Sequence, residues 1–342
     1  MKRGALYLIL ILILAAIGST ILFLRAIRNL SVKDGNNVVS LYIPTGSNYE
    51  QAFDTINSKI IIRNRRVFNW LAERKKYTIS VKSGHYILSG DMSYLNIINI
   101  LRSGSQTPVK VTFNNIRTLY DLAGKIGNQI EADSSKIISF LLDDDNYKKD
   151  GFTRENVISA FIPNTYELYW NTTASGFYTR MLREYSRFWN DERLSKAGEK
   201  NLTRTEVAIL ASIIDDEVSK ADEKPRIAGV YLNRIKRGML LEACPTIKFA
   251  MNDFTITRVL KKHLQVDSPY NTYKHKGFPP GPIGCPTIEG LDAVLNAEKH
   301  DYLFFAAKAD FSGFHNFSKT LAEHNRYAVI YQKELDKRKI FK

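Results

Sequence analysis

The pattern of apolar and polar positions begins with an unbroken apolar run at positions 4–24. This run, GALYLILILILAAIGSTILFL, contains no charged residue. A helix of about 20 such residues is long enough to cross the hydrocarbon core of a membrane. A cleaved signal peptide would have a shorter run followed by an A-x-A-like site, which LAAIGST matches poorly. The pattern predicts an uncleaved transmembrane anchor within residues 1–28 and a polar linker at 29–37.

After the linker, residues 38–110 alternate short strands with short helices. Strands are predicted at VVSLYI, YTISV and GHYILS, because these short runs are rich in β-branched and aromatic residues. Helical spacing of apolar residues appears between Asn48 and Trp70 and again between Ser93 and Arg102. This part of the chain is therefore predicted to be a small α/β subdomain, with a boundary near residue 110.

The remaining residues, 111–342, are predicted to form a larger domain. The stretch 134–188 has a helical pattern that is interrupted at Pro163, because proline cannot continue a helix. Proline and glycine concentrate at 268–286, SPYNTYKHKGFPPGPIGCP, which predicts a shaped loop. The predicted fold class is α+β, with a transmembrane helix, an α/β subdomain at 38–110 and a mixed α+β domain at 111–342.

Charge changes this picture little. The 49 Lys and Arg exceed the 35 Asp and Glu, which gives a formal net charge of +14. The basic residues are dispersed among acidic ones, as in DDDNYKKDG, so we predict a solvated basic surface and no nucleic-acid partner. Basic residues also flank the apolar run on both sides, so charge alone does not orient the anchor.

One helix carries the candidate chemistry. Thr203-Arg-Thr-Glu206 matches a capping box, in which the two side chains bond to free backbone amides, and an apolar run follows it. A helix is therefore expected to start there and to bury one stripe of apolar side chains. The members of this stripe are Val207, Leu210, Ala211, Ile214 and Val218.

Three consecutive carboxylates end this helix and point in different directions. With Val207 at zero, Asp215 projects at about 80°, Asp216 at about 180° and Glu217 at about 280°. Asp216 is expected to be solvated, whereas Glu217 lies near Leu210, where burial would raise its pKa. Glu217 is the predicted acid/base, although spacing alone favours an ion pair or a capping role over catalysis.

Three later segments resemble a known family. LASIIDDEVSKADEKPRIAGVYLNRIKRGMLLEACPTIKFAM, SPYNTYKHKGFPPGPIGCPTIEGLDAVLNAEKHDYLFFAA and HNFSKTLAEHNRY are similar, in this order, to signatures of the endolytic murein transglycosylase (MltG or YceG-like) family. The resemblance covers about Val39 to Leu335. It implies that Glu217 is the catalytic glutamate. It also shows one departure, because the family has glutamate where this chain has Asp215.

The resemblance also suggests substrate-binding residues. Asn271 and Tyr273 match the cleft loop, where amides, hydroxyls and flat rings suit sugars. Arg234 either binds saccharide or pairs with Asp215. His315 and His324 match two late motifs, H-x-F-[NS] and H-N, in that order. No third ligand accompanies these two histidines, so no metal site is predicted.

The implied reaction is lytic cleavage of nascent peptidoglycan. The enzyme would cut the β-1,4 bond between N-acetylmuramic acid and N-acetylglucosamine, leave 1,6-anhydro ends, and need no metal or organic cofactor. Residues 38–110 would be a LysM-like subdomain, with glycan-binding and purely structural roles both open. The anchor would place the catalytic domain on the outer side of the bacterial inner membrane, with glycan-polymerising synthases as expected partners.

Departures from the family motifs keep other interpretations open. Cys244 and Cys285 replace residues that are usually polar, which suggests a disulfide across the cleft loop, although two buried thiols also fit. Asn114-Asn115 replaces the usual Glu-Gly, and Asn164 follows Pro163 in place of Asp. A hydrolytic muramidase and a non-catalytic glycan-binding scaffold are the alternatives to a transglycosylase.

Overall fold

The computed structural model describes residues 2–28, 30–32, 38–90, 92–256 and 258–338, apart from the side chains at 2, 3, 5, 6, 23, 25–28 and 30–32. The helices are α1 Lys2–Arg28, α2 Tyr49–Lys59, α3 Arg65–Arg74, α4 Tyr94–Ser103, α5 Leu119–Gly127, α6 Ser134–Leu141, α7 Ala174–Phe188, α8 Asp191–Glu199, α9 Arg204–Glu217, α10 Lys224–Lys236, α11 Cys244–Ala250, α12 Ile288–Leu295 and α13 Leu321–Lys337. The strands are β1 Leu30–Val32, β2 Val38–Ile43, β3 Ile60–Ile62, β4 Gly84–Ser89, β5 Val109–Phe113, β6 Asn164–Leu168, β7 Phe304–Ala307 and β8 His315–Ser318.

Among the described residues, the strands form four small sheets. Each sheet has two strands, and the pairs are β1 with β3, β2 with β4, β5 with β6, and β7 with β8. Helices make up most of the remaining regular structure, so the mixed α+β class is confirmed. The chain forms two compact units. The first comprises Met1–Val111, Gln129–Ala132 and Tyr166–Thr173, and the second comprises the rest.

The predicted anchor falls on α1, and most of the predicted linker at 29–37 lies outside the described residues. The apolar side chains of α1 that are described are exposed, from Tyr7 at 67% to Leu24 at 51%. Within the part of the chain that the structure describes, no helix is both long enough and apolar enough to cross a membrane.

The first unit is organised around the antiparallel pair β2 and β4, which aligns Val38 with Ser89 and Ile43 with Gly84. Alternate residues of β2 are buried, as a sheet with one face on a core requires. The strand predicted at YTISV is wrong. Lys76 has a positive φ of 57° that ends α3, and the turn that follows leaves Ile79 82% exposed.

The second unit surrounds α9, which packs against α8, α10, α11 and α12. The predicted capping box is confirmed. The backbone N–H of Glu206 donates to Thr203 Oγ1 at 3.2 Å, and the N–H of Thr203 donates to Glu206 Oε2 at 2.7 Å. The whole predicted stripe is buried, and so are Ala208, Ile209 and Ile213, because neighbouring helices cover α9 on several sides.

Other elements of this unit differ in part from the sequence prediction. Strand β6 follows Pro163 inside a stretch predicted to be helical, and β7 and β8 were not predicted. The segment 268–286 contains neither a helix nor a strand, which confirms the predicted loop. Asn271 supports this loop from within, because its Nδ2 donates to the carbonyls of Leu264 at 3.0 Å and Val266 at 2.7 Å.

Candidate active site

The three carboxylates at the end of α9 point in different directions, as the helical geometry predicts, and each has different partners. Asp216 is exposed and pairs with Arg117 at 2.9 Å. Asp215 accepts hydrogen bonds from Lys224 Nζ at 2.8 Å and from the N–H and Oγ1 of Thr287 at 2.7 and 2.9 Å. Glu217 points elsewhere and accepts from the hydroxyl of Tyr231 at 3.3 Å. Glu217 is therefore less compensated than Asp215, which has a cation and two further donors.

Glu217 opens onto a cavity of about 450 Å³ within the second unit. Arg234, Tyr273 and His315 line the same cavity, so the structure brings these predicted site residues together with Glu217. Asn271 is fully buried and is not among the lining residues. The other lining residues are Tyr231, Leu241, Glu242, Cys244, Phe305, Ala306, Ala307 and His324.

Burial raises the pKa of Glu217 from 4.5 to about 7. Hydrogen bonds from Tyr231 and from the backbone N–H of Cys244, together with the charge of Lys248, lower it by less, and the charge of Asp216 adds a small increase. A carboxyl group with this pKa holds a proton in a substantial fraction of molecules at neutral pH. It can therefore act as a general acid and, once ionised, as a general base.

Arg234 is a buried structural residue at the wall of the cavity. Its Nε donates to the carbonyl of Leu303 at 2.6 Å, and its Nη1 donates to the carbonyls of Leu240 and Leu241, both at 3.0 Å. Nη1 also pairs with Glu242 Oε2 at 2.8 Å. The proposed alternative in which Arg234 pairs with Asp215 is therefore wrong, because Asp215 faces Lys224 and Thr287.

Glu242 is a second carboxylate at this cavity. Its φ of +53° is a strained conformation for a residue with a side chain. The strain is held in place by the Arg234 ion pair and by a backbone hydrogen bond from the N–H of Glu242 to the carbonyl of Thr272 at 3.1 Å. Such strain is common beside functional sites, where the surroundings impose an unusual backbone.

The cleft loop presents Tyr273 to the cavity. The Oδ1 of Asn271 accepts a hydrogen bond from the backbone N–H of Tyr273 at 3.0 Å, so the buried Asn271 fixes the backbone of Tyr273. Thr272 binds the neighbouring segment, because its Oγ1 accepts from the N–H of Ala243 at 3.0 Å. The hydroxyl of Tyr273 lies 3.2 Å from Cys244 Sγ. This hydroxyl and ring face the same space as Glu217.

The two histidines occupy different environments. His315 forms a buried pair with Glu223, with 2.9 Å between Nδ1 and Oε2. His324 stacks on Phe304 with 5.4 Å between ring centroids, and burial, followed by the charge of Arg234, lowers its pKa. Among the described residues, no group of three His, Cys, Asp or Glu side chains is arranged to hold a metal ion.

The predicted disulfide is wrong, because both cysteines are free thiols. Cys244 lies beside Tyr273 in the cavity of Glu217. Cys285 is buried, and its Sγ donates to the carbonyl of Ile158 at 3.6 Å. It lines a separate cavity of about 270 Å³, to which Asp215 also contributes. The two cysteines are thus on different sides of α9.

Three further residues at the site were not predicted from the sequence. Tyr231 lies three residues before Arg234 on α10, so a helical wheel that placed Arg234 would also have placed Tyr231 on that face. Glu223 and Phe305 had no comparable local signal. Glu223 meets its partner His315 across 92 residues of chain, a pairing that only the folded structure defines.

Comparisons with known proteins identify the family of this chain. A family model described as the YceG-like family matches residues 41–329. A protein of Bacillus subtilis named endolytic murein transglycosylase is 27% identical over 325 residues, which cover 91% of this chain and 89% of that protein. A protein of Streptococcus pneumoniae strain D39 with the same name is 27% identical, and the match covers 79% of this chain and 54% of that longer protein.

A solved structure supports the same relationship. The crystal structure of a YceG-like protein from Listeria monocytogenes aligns with a TM-score of 0.57 and 26% identity, covering 85% of this chain and 98% of that one. The family model spans far more than half of the chain, including α9, the cleft loop and the two late strands. The chain therefore belongs to the YceG-like family.

Proposed function

We propose that this chain is an endolytic lytic transglycosylase that cleaves peptidoglycan glycan strands. The observation that carries the proposal is Glu217, a half-buried carboxyl group with a pKa of about 7 at the wall of a cavity lined by polar and aromatic side chains. The name shared by the curated relatives supports the same activity. The expected bond is the β-1,4 link between N-acetylmuramic acid and N-acetylglucosamine.

Glu217 serves first as acid and then as base in this reaction. Its proton passes to the glycosidic oxygen as the bond to C1 of N-acetylmuramic acid breaks. The C6 hydroxyl of the same sugar then attacks C1, and its proton returns to the Glu217 carboxylate. The products are a free N-acetylglucosamine 4-hydroxyl and a 1,6-anhydro end. No second carboxylate is needed as a nucleophile, and no water is consumed.

The other cavity residues have supporting roles in this proposal. Tyr273 offers a hydroxyl and a ring face to the sugar, and His315 offers an imidazole nitrogen. Arg234 shapes the wall and balances Glu242, which leaves little of its guanidinium for substrate. Asn271 acts through Tyr273, because its amide N–H groups already donate to the carbonyls of Leu264 and Val266, just before the loop.

Mass spectrometry of the products tests the reaction. Uncrosslinked nascent glycan is treated with the full chain, with Glu217→Gln and with Asp216→Asn as the matched control. We expect 1,6-anhydro ends from the parent and the control, and a loss of about 10³-fold or more for Glu217→Gln. Reducing ends would identify a muramidase, and binding without cleavage by the parent would identify a scaffold.

We propose that the reaction takes place at the outer face of the bacterial inner membrane. The support is the apolar run at 4–24 and the exposed side chains of α1. Residues 38–110 would act as a LysM-like module that precedes the catalytic part along the chain, and glycan-polymerising synthases would be partners of the enzyme. Both of these assignments come from the family resemblance.

Fractionation tests the anchor. The full chain should stay with membranes through an alkaline carbonate wash and leave them only in detergent, because a spanning helix is held by hydrocarbon burial. A variant lacking residues 2–28 should appear in the soluble fraction with the same cleavage activity. Release of the full chain by carbonate alone would refute the anchor and leave the enzymatic proposal intact.

A further inference from the structure

Glu223 and His315 form a carboxylate–imidazole pair, and the reaction above gives a role to His315 but none to Glu223. Glu223 Oε2 lies 2.9 Å from His315 Nδ1, and Glu223 Oε1 accepts from the backbone N–H of His315 at 3.0 Å. The two side chains are only 6% and 12% exposed. A carboxylate is rarely buried to this extent unless its oxygens are hydrogen-bonded, and here each oxygen has its own partner.

This contact defines where the imidazole proton lies. An ionised carboxylate only accepts hydrogen bonds, so Nδ1 must be the nitrogen that carries the hydrogen. In a neutral ring the other nitrogen, Nε2, is then an acceptor. Glu223 ends a short turn between α9 and α10, and His315 begins β8, so the pair is held at both ends by regular structure.

The imidazole is also fixed with respect to the candidate acid. Phe305 packs edge-to-face on His315 with 5.4 Å between ring centroids, and edge-to-face on Tyr231 at 5.9 Å. Tyr231 in turn donates to Glu217. His315 and Glu217 line one cavity, and with Nδ1 occupied by Glu223, Nε2 is the ring nitrogen left for a ligand.

We propose that Glu223 is a positioning residue that holds His315 as the Nδ1–H tautomer, so that Nε2 accepts a hydrogen bond from a sugar hydroxyl in the cavity. The identity of the sugar rests on the proposed function, whereas the tautomer rests on the Glu223 contact alone. The competing interpretation is that the pair only ties β8 to the turn before α10.

Nitrogen NMR of the full chain in detergent micelles measures the tautomer without any assay. Histidine ring nitrogens are labelled with ¹⁵N, and the His315 signals are those missing from His315→Gln. At pH 8 we expect Nδ1 to be protonated and Nε2 to be unprotonated. A ring with the proton on Nε2, or with both nitrogens protonated, would overturn the proposal.

Glu223→Gln tests whether the tautomer matters. In glutamine an NH₂ group replaces one of the two carboxylate oxygens, so either the ring Nδ1–H or the backbone N–H of His315 faces a donor instead of an acceptor. The expected loss in kcat/KM is about 10- to 100-fold, in line with leaving a buried group unpaired. Glu298→Gln, at a half-exposed ion pair with Arg226 in the same unit, is the control and should keep parental activity.

The double variant Glu223→Gln/His315→Gln separates positioning from a merely structural role. If Glu223 acts through His315, the double variant loses no more kcat/KM than His315→Gln alone. Multiplied losses, or a folded Glu223→Gln with parental activity, would overturn the proposal. An inactive parent chain would refute the proposed function, whereas the NMR result on the tautomer would still stand.

Discussion

Asp215 and Glu217 both present a carboxyl group at the end of α9, on different sides of the helix. The two groups differ in the number and kind of their hydrogen-bond donors. On one side Asp215 receives three hydrogen bonds, one of them from the buried Lys224, whose side chain is 8% exposed. On the other side, Glu217 accepts a long hydrogen bond of 3.3 Å from the hydroxyl of Tyr231. It also accepts one from the backbone N–H of Cys244. The carboxyl groups are two residues apart and face different cavities.

The difference shows how one helix can carry a carboxylate with a structural role, Asp215, and another suited to acid/base chemistry, Glu217. A carboxylate that meets a cation and two further donors ties together the elements that supply them. Here Asp215 joins α9 to the starts of α10 and α12, and α12 comes so close that a Cβ at Gly290 would lie 2.5 Å from Asp215 Oδ1. At Glu217, which has fewer donors, burial raises the pKa.

The largest expected effect on stability is at Asp215. Asp215→Ala removes the partner of Lys224, which is left with Glu289, a residue whose side chain is 53% exposed. We expect a loss of about 3 kcal/mol in the free energy of unfolding, because breaking a buried ion pair strands the remaining charge. Urea unfolding of the full chain in detergent, followed by tryptophan fluorescence, measures it.

The control for this change is Asp216→Ala. Asp216 and Arg117 are partly exposed, with side-chain exposures of 31% and 41%, so their pair is screened by solvent. The control should lose about 0.5 kcal/mol or less. Equal unfolding free energies for Asp215→Ala and Asp216→Ala would show that the Asp215 ion pair stabilises the fold no more than the exposed Asp216 pair does.

Local sequence signals predicted the Glu217 side of this comparison. The capping box at Thr203 placed the start of α9, and the helical period then separated Asp216 from Glu217. The position of Glu217 beside the apolar stripe also predicted the burial that raises its pKa. Interactions within one helix are set by spacing, and spacing can be read from a sequence.

The partners of Asp215 could not be predicted in the same way. Thr287 is 72 residues away from Asp215 along the chain. Arg234, one partner that the sequence suggests for Asp215, instead bonds to the carbonyl of Leu303 and pairs with Glu242. The disulfide proposed for Cys244 and Cys285 failed for the same reason. A pairing between distant segments depends on how helices cross, and neither periodicity nor composition contains that information.

The second effect is a dependence of stability on pH that originates at Glu217. Its pKa is about 7 in the folded chain and 4.5 in the reference state, so the folded chain takes up a proton between these values. Stability should therefore fall as pH rises from 4.5 to 7. The full shift corresponds to about 3 kcal/mol, and partial exposure of the side chain reduces our expectation to about 2 kcal/mol.

Glu217→Gln supplies the reference curve for this measurement. Glutamine does not titrate, so the parent minus variant difference in unfolding free energy isolates the glutamate. The difference should decline across pH 4.5 to 7 and be constant above it. A difference that does not change with pH would mean that Glu217 is solvated like Asp216, and the two sides of the helix would no longer differ.

The smallest effect tests what sets the pKa of Glu217. Tyr231→Phe removes the hydroxyl whose hydrogen bond lowers this pKa, so the alkaline limb of kcat/KM should move upward from about pH 7 by less than about one unit. Turnover at low pH should be unchanged, and Tyr120→Phe, at a ring that is 65% exposed, should leave the whole profile in place. An unmoved limb would show that burial alone sets the pKa. A downward shift would show that the phenol accepts the proton of the neutral carboxyl, so that Tyr231 stabilises the acid form that starts the reaction.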